Sequence, residues 1–299
     1  MEQTAQQKPS WSQLLESLHE PLLLPSAHDA LTALILQQSG FKAYQIGGYS
    51  VVGARFAWPD IALAQFGEMS SSAREIMAAS SLPVLMDCDD GYGDAKNVTN
   101  TVRTYDRMGV SAIFLEDQSA PKRCGHMEGK NVVSAEVMEA KLKAALAARS
   151  PDLFVIARCD ARAPLGLDEA LRRGERYLNT GVDGLFIEAP QNEKELKKIG
   201  DTFKGKHLVA NMLEGGGKTP LIPPKELYAM GFSMIFYPTS LIFRVARVLQ
   251  DAAADIKKGL YTAEEKGMSF KQYTDLVGLP GWTKIQDEFS TSDKAPVAK

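Results

Sequence analysis

Asp87, Asp89 and Asp90 sit within four residues of one another in the run Asp87-Cys-Asp-Asp-Gly-Tyr-Gly93. Carboxylates this close repel unless a cation stands among them. Hard oxygen donors so arranged suit Mg²⁺ or Mn²⁺, which take one or two protein carboxylates and keep several waters. Gly91 and Gly93 let the backbone turn tightly and approach a ligand. Alone, the run also reads as a solvated acidic turn; Glu116, expected at the end of the next strand, favours the metal.

A second segment is Lys122-Arg-Cys-Gly-His126. Two cations and a histidine around Cys124 are expected to lower its pKa and favour thiolate. The segment lies in a connection long for a strand-to-helix loop, which reads as a lid. Cys88 and Cys159 stand in apolar runs and read as packing residues. A third segment, Asn211-Met-Leu-Glu-Gly-Gly-Gly-Lys-Thr219, has three glycines before Lys218 and Thr219 and can form a backbone anion nest. It lacks the spacing of a Walker loop. Asn211 and Glu214 at its start favour carboxylate binding over a plain flexible loop.

The elements that position these groups follow a rhythm. Short apolar runs recur at 22–25, 43–46, 83–86, 112–115, 153–157, 184–187, 207–210 and 233–237. Several are continuously apolar, as strands covered on both faces require. Helical periodicity fills 29–39, 97–108, 134–147, 167–180, 193–199 and 224–229, and Gly40, Gly109, Gly181 and Gly231 stand where a left-handed cap would end a helix. Eight strand–helix units predict an α/β fold of the (β/α)8 TIM-barrel type rather than an open doubly wound sheet. Polar residues follow each run: His28 and Asp29; Gly47, Gly48 and Tyr49; the aspartates; Glu116 and Asp117; Arg158 and Asp160; Glu188; Asn211 and Glu214; Thr239 and Ser240. A barrel brings all these strand ends to one mouth.

Composition sets the outer bounds. The 299 residues are 44% hydrophobic and 24% charged, which excludes collagen-like, disordered and disulfide-scaffold classes. With 34 basic against 37 acidic residues, nothing suggests a nucleic-acid or membrane partner. No apolar stretch approaches the roughly 20 residues a membrane span needs. The N-terminal residues show no secretory signal, and three cysteines outside any zinc pattern read as thiols of a reducing, cytoplasmic compartment. One domain is expected over 1–299, with about 1–10 and 290–299 frayed.

Together the motifs PSAHDALTA, GGY…WPD ending at Asp60, DCDDGYG, LEDQ…PKRCGH, ARCDA, IEAP and NMLEGGGKTP resemble the isocitrate lyase / phosphoenolpyruvate mutase superfamily. The resemblance spans about 14–281. It is nearest to the 2,3-dimethylmalate lyase, 2-methylisocitrate lyase, petal death protein and carboxyvinyl-carboxyphosphonate phosphorylmutase subfamilies. It implies that Asp87 binds Mg²⁺ directly, with Asp60, Asp89 and Glu116 holding it through water. Tyr44, Gly47, Gly48 and Tyr49 would cradle the substrate's carboxylate and oxygens. Cys124 would be the general acid/base of a lid completed by Lys122, Arg123, Gly125 and His126. Arg158, Glu188 and Asn211 match substrate-binding positions, Arg158 by pairing a carboxylate bidentately. A last helix exchanged between subunits, and hence a homotetramer, is also implied.

Four positions depart from the pattern. Gly47 replaces Ser or Thr, Asp90 replaces Thr and adds charge near the metal, and Cys159 replaces Thr. The run Gly215, Gly216 and Gly217 is one glycine longer. The implied chemistry is Mg²⁺-dependent retro-aldol cleavage of a 2-hydroxy- or 2-alkyl-malate-type acid. Phosphonate rearrangement and oxaloacetate hydrolysis use the same ligands. A catalytically silent binding barrel would be expected to lose one of Asp87, Glu116 or Cys124.

Overall fold

The computed structural model describes residues 9–261 and 266–290. Eight strands form one parallel sheet: β1 (Leu22–Pro25), β2 (Tyr44–Ile46), β3 (Val84–Asp87), β4 (Ala112–Glu116), β5 (Phe154–Cys159), β6 (Gly184–Ile187), β7 (His207–Asn211) and β8 (Phe232–Tyr237). Each falls on one of the eight apolar runs. Strand β1 pairs with β8 at one end of the order. A parallel bridge between Ser26 and Gln45, with Ala27 N–H donating to the Gln45 carbonyl, joins β1 to β2 and completes the barrel.

The helices are α1 (Trp11–Ser17), α2 (Ala30–Gln38), α3 (Gly48–Phe56), α4 (Phe66–Ala78), α5 (Ala95–Arg107) and α6 (Ala135–Ala148). They continue with α7 (Arg162–Leu165), α8 (Leu167–Leu178), α9 (Glu193–Thr202), α10 (Pro224–Ala229), α11 (Ser240–Lys257), α12 (Phe270–Leu276) and α13 (Leu279–Phe289). Gly40, Gly109, Gly181 and Gly231 all take positive φ after their helices, as expected. Helices α1, α3 and α4 carry no strong sequence signal. The first is only seven residues, and the other two are rich in glycine or serine, poor helix formers held here by packing.

No compositional break marks a boundary, yet the chain divides into two compact units, 1–243 and 244–299. The first contains the barrel. The second contains most of α11, with α12 and α13; no described residue of α12 or α13 is buried, and Phe270 and Trp282 are 87% and 69% exposed. Ser10, read as frayed, is ordered: its hydroxyl caps α1 while Gln13 reaches back to its N–H. Residues 1–8 and 291–299 lie outside the described residues.

Side chains on a strand alternate, so each barrel strand sends every second residue inward. Leu22, Leu24, Leu85, Ala112, Phe114, Phe154, Ile156, Phe186, Val209, Met234 and Phe236 meet there as one cluster. Trp11 joins it, fully buried, its indole N–H directed at the Met234 sulfur 3.5 Å away. The other faces of the strands pack against the helices as the larger cluster. Because Trp11 fills the floor of the barrel, Trp11→Ala is expected to lower unfolding free energy by about 3–5 kcal/mol, read from a urea titration; a change within experimental scatter would show that α1 is dispensable.

Candidate active site

The same alternation that builds the apolar interior delivers the polar residues above it. One inward step beyond Leu85 is Asp87, beyond Phe114 is Glu116, and beyond Ile156 is Arg158. Glu188 follows Phe186, and Asn211 follows Val209. With Gln45, all five line one cavity. Gly47, Gly48, Tyr49, Asp60, Lys122, Arg123, Cys124, Gly125 and His126 complete its polar and lid-derived wall, and Phe114, Phe186, Leu213, Phe236 and Pro238 its apolar parts.

On one side stand the carboxylates. Asp87 Oδ2 accepts the Gly48 N–H at 3.1 Å and Oδ1 the Asp89 N–H at 3.0 Å, which fixes the aspartate loop. The Lys122 ammonium lies 2.5 Å from both Asp60 Oδ1 and Asp89 Oδ1. Burial pushes the Asp89 carboxyl up to about 7 against the pull of Lys122. Burial also holds Glu116 well above the usual carboxylate range, with Arg158 opposing. Glu116 Oε1 is buried without a hydrogen-bond partner. Four carboxylates around one ammonium, with an unsatisfied hard oxygen, fit a divalent cation. Among the described residues no three ligand-type side chains close on a single point.

On the other side stand Arg158, Glu188, His126 and Asn211. Arg158 Nε and Nη2 donate to Asp160 at 2.8 and 3.2 Å, and Nη2 lies 3.2 Å from Glu116 and 3.5 Å from Glu188. Its guanidinium rests over the Phe114 and Phe186 rings. Asp160, a partner two residues away, thus takes Nε and Nη2, while Arg158 still lines the cavity. Burial alone would raise Glu188, but His126 and Arg158 outweigh it and hold its carboxyl below the ordinary range. His126 Nδ1 accepts the Lys218 N–H at 2.9 Å, which assigns the proton to Nε2, 3.1 Å from Glu188. Asn211 Nδ2 donates to Glu188 at 3.1 Å, while its Oδ1 is buried without a partner.

Several expected placements change. Tyr44 is an outward residue of β2, packed among the helices; Gln45, which the sequence reading passed over, is the inward one, and its parity with Leu85 could have revealed it. Asp89 does not line the cavity and meets it through Lys122 and through its N–H to Asp87. Asp90 adds no free charge near the carboxylates: Oδ1 accepts the Tyr92 N–H, and Oδ2 pairs with Lys141 of α6 at 3.3 Å.

The glycine-rich loop is not an anion nest over the cavity. Lys218 N–H is taken by His126, Lys218 Nζ lies 2.5 Å from Glu128, and Glu214 and Thr219 stand outside the cavity wall. The loop docks on the lid instead. Gly47 leaves room for Ser26, whose hydroxyl accepts the Gly47 N–H at 3.3 Å and lies 2.7 Å from the Ser50 hydroxyl. Cys88 and Cys159 are buried packing residues, as expected.

Cys124 is the main correction. Its thiol is pushed up to about 11, first by burial and then by Asp60. The neighbouring cations do not serve it: Lys122 faces the carboxylates, Arg123 is exposed, and His126 is turned to Glu188 and Lys218. Burial and Asp60 thus favour the protonated thiol over the thiolate.

An eight-stranded parallel barrel with a covered, charged cavity at its C-terminal strand ends is the architecture of a (β/α)8 enzyme. The phosphoenolpyruvate phosphomutase family pattern matches residues 13–257. The chain is 40% identical over 280 residues to 2,3-dimethylmalate lyase of Eubacterium barkeri, covering 93% of this chain and 96% of that protein. It is 39% identical over 276 residues to the chloroplastic carboxyvinyl-carboxyphosphonate phosphorylmutase of Arabidopsis thaliana, covering 90% and 81%. Among solved structures it is similar to oxaloacetate acetylhydrolase in complex with 3,3-difluorooxalacetate. The TM-score is 0.88 at 28% identity, over 94% of this chain and 96% of that one. The chain belongs to the phosphoenolpyruvate phosphomutase family, within the phosphoenolpyruvate mutase/isocitrate lyase superfamily.

With a pKa near 11, only about one Cys124 in a thousand is thiolate at pH 8. Iodoacetamide should therefore label Cys124 in the folded protein far more slowly than in the urea-unfolded chain at that pH. Faster labelling in the folded state would restore the thiolate reading.

Proposed function

We propose that the chain is a Mg²⁺-dependent carbon–carbon lyase that cleaves a 2-hydroxy-, 2-alkyl-malate-type acid, such as a dimethylmalate- or methylisocitrate-like compound, by retro-aldol chemistry. Its relatives in the superfamily include lyases of this kind, which supports the class of reaction. The observation that carries the reading is a single covered cavity lined both by an excess of carboxylates and by a thiol that keeps its proton.

Asp87, with Asp60, Asp89 and Glu116 in support, would hold the cation, which would supply Lewis-acid stabilisation of the substrate's 2-oxygen once its hydroxyl proton is removed. The chain's own groups do the rest. Gly47 and Gly48, held through their N–H groups by Ser26 and Asp87, set the first turn of α3, whose Tyr49 and Ser50 lie in the cavity wall, with its helix N-terminus toward the carboxylate end of the substrate. Arg158, held flat on Phe114 and Phe186, sets positive potential beneath the reacting carbon. Glu188, His126 and Asn211 form a fixed hydrogen-bonded wall whose free Asn211 oxygen can accept a substrate hydroxyl. A carboxylate of the cluster takes the hydroxyl proton. Cleavage leaves a carbanion equivalent on the departing carboxylic acid, and Cys124 Sγ supplies its proton. The lid excludes water while this happens.

Three free thiols fit a reducing compartment, and we place the protein in the cytoplasm; no described helix is long and apolar enough to cross a membrane. The substrate is taken as the small-molecule partner, with neither nucleic acid nor membrane. The exposed apolar side chains of α11, α12 and α13 support a homotetramer with helices shared between copies.

The direct test is to offer dimethylmalate, methylisocitrate, citramalate and oxaloacetate with Mg²⁺ and follow pyruvate or oxalate release. Release of pyruvate from a malate-type acid is expected; oxalate from oxaloacetate alone would instead make the chain a hydrolase. Chelation and Asp87→Ala should each abolish turnover, and full activity after exhaustive chelation would sink the metal reading. Cys124→Ala should lower kcat by about 10²- to 10⁴-fold, the usual contribution of a general acid, with far smaller losses for Cys88→Ala and Cys159→Ala. A near-normal kcat in Cys124→Ala would move the chain toward phosphonate chemistry, which needs no such proton. Sedimentation at micromolar concentration should show a tetramer, and monomer alone would contradict the shared helices.

A further inference from the structure

The connection between β4 and α6 is closed at its base by the antiparallel bridge between Gln118 and Val132 and by the Ser119 N–H to the Asn131 carbonyl. Besides the Lys122 pairs with Asp60 and Asp89 and the His126 contacts to Glu188 and Lys218, the part that covers the cavity is held by three further attachments. The Gln118 amide grips the Arg123 peptide from both sides, donating to its carbonyl at 2.9 Å and accepting its N–H at 3.0 Å. The Cys124 N–H donates to the Asp60 carbonyl at 3.1 Å. Lys130, its side chain 1% exposed, donates to the Gly125 carbonyl and, at 2.9 Å, to Asp160 Oδ1.

Gly125 lies so close to the catalytic wall that a Cβ there would stand 2.5 Å from Arg158 Nη2 and 2.7 Å from Glu188 Cγ. The carbonyl that Lys130 holds therefore belongs to the lid residue pressed against Arg158. Asp160 is the other end of the same link. It is fully buried, and its carboxylate receives Arg158 through two nitrogens, Lys130 and the Gln118 amide. An ammonium buried this deeply must stay paired, since a buried charge that loses its partner is strongly unfavourable. Moving the lid away from Asp160 breaks the pair and returns Lys130 to water.

We propose that Lys130 is a positioning residue that latches the lid: its ammonium ties the Gly125 carbonyl to Asp160 and through Asp160 to Arg158, so that closure of the lid and the orientation of Arg158 set each other. Lys130 does not line the cavity and takes no part in bond breaking. Its effect on turnover rests on the lyase reading; its effect on the lid does not.

The lid is read through Cys124, which closure buries. Full-length protein is treated with iodoacetamide and the labelled peptides are mapped by mass, so that Cys124 is followed separately from Cys88 and Cys159. Lys130→Met and Lys130→Gln are expected to speed Cys124 labelling about tenfold, the factor equivalent to ~1.4 kcal/mol for a charge-assisted hydrogen bond. Lys130→Arg, which keeps the charge, should label more slowly than either. On a cleaved substrate, kcat should fall by about 10²-fold, the cost of a small misplacement of catalytic groups, with KM changing less. If Lys130→Met does not fold, Lys130→Gln, a neutral donor of similar length, decides the matter. A folded neutral variant labelled at the parental rate overturns the latch. Faster labelling in a protein whose parent cleaves none of the malate-type acids upholds the latch and overturns the lyase.

Discussion

The bond pair from Arg158 to Asp160 is the interaction on which the arrangement of the site depends. Arg158 arrives as an inward residue of β5, with two aromatic rings beneath it and Glu116 beside it on β4. A guanidinium in that position is costly to bury unless its donors are matched by fixed acceptors. Asp160 supplies them, and is itself held by Lys130 and Gln118, while its N–H donates to Asp117 at 2.7 Å. Asp117 continues the network outward, accepting Tyr177 at 2.7 Å and Arg173 at 3.0 Å from α8. One connected set of buried charges thus joins the barrel interior, the lid and the outer helix layer.

That network divides the cavity electrically. Around Arg158, cations and anions are matched, so the guanidinium and Glu188 are held in place by their partners. Around Lys122 they are not: Asp60, Asp87, Asp89 and Glu116 outnumber the one ammonium among them. The excess is unfavourable in the protein alone and would be relieved by a divalent cation. Site strain of this kind lies where ligand binding will remove it. Cys124 stands in the same cavity but gains nothing from the cations next to it in sequence, because each has a carboxylate or solvent of its own.

How far the sequence discloses this follows from the range of each signal. The eight strands were legible because parallel strands covered on both faces are nearly unbroken apolar runs, and the helix ends because glycine is favoured where φ turns positive. The polar residues at the strand ends were legible as a group for the same reason. What sequence order hides is direction. Tyr44 and Gln45 are neighbours facing opposite ways, and Arg158 finds a buried partner in Asp160 two residues on. Lys122 and Arg123 point away from the thiol they flank. Glu214 and Thr219 belong to a loop whose docking on His126 depends on a contact 92 residues distant. Pairing across that separation leaves no local pattern to read.

The central claim is that the unbalanced carboxylates form a divalent-cation site with Asp87 as the direct ligand. It is tested most directly by an anomalous difference map from crystals grown with Mn²⁺. The account predicts one strong peak in the cavity about 2 Å from an Asp87 oxygen, with ordered waters between it and Asp60, Asp89 and Glu116. A cavity without a peak, or a peak bound directly to other side chains with Asp87 turned away, would contradict it.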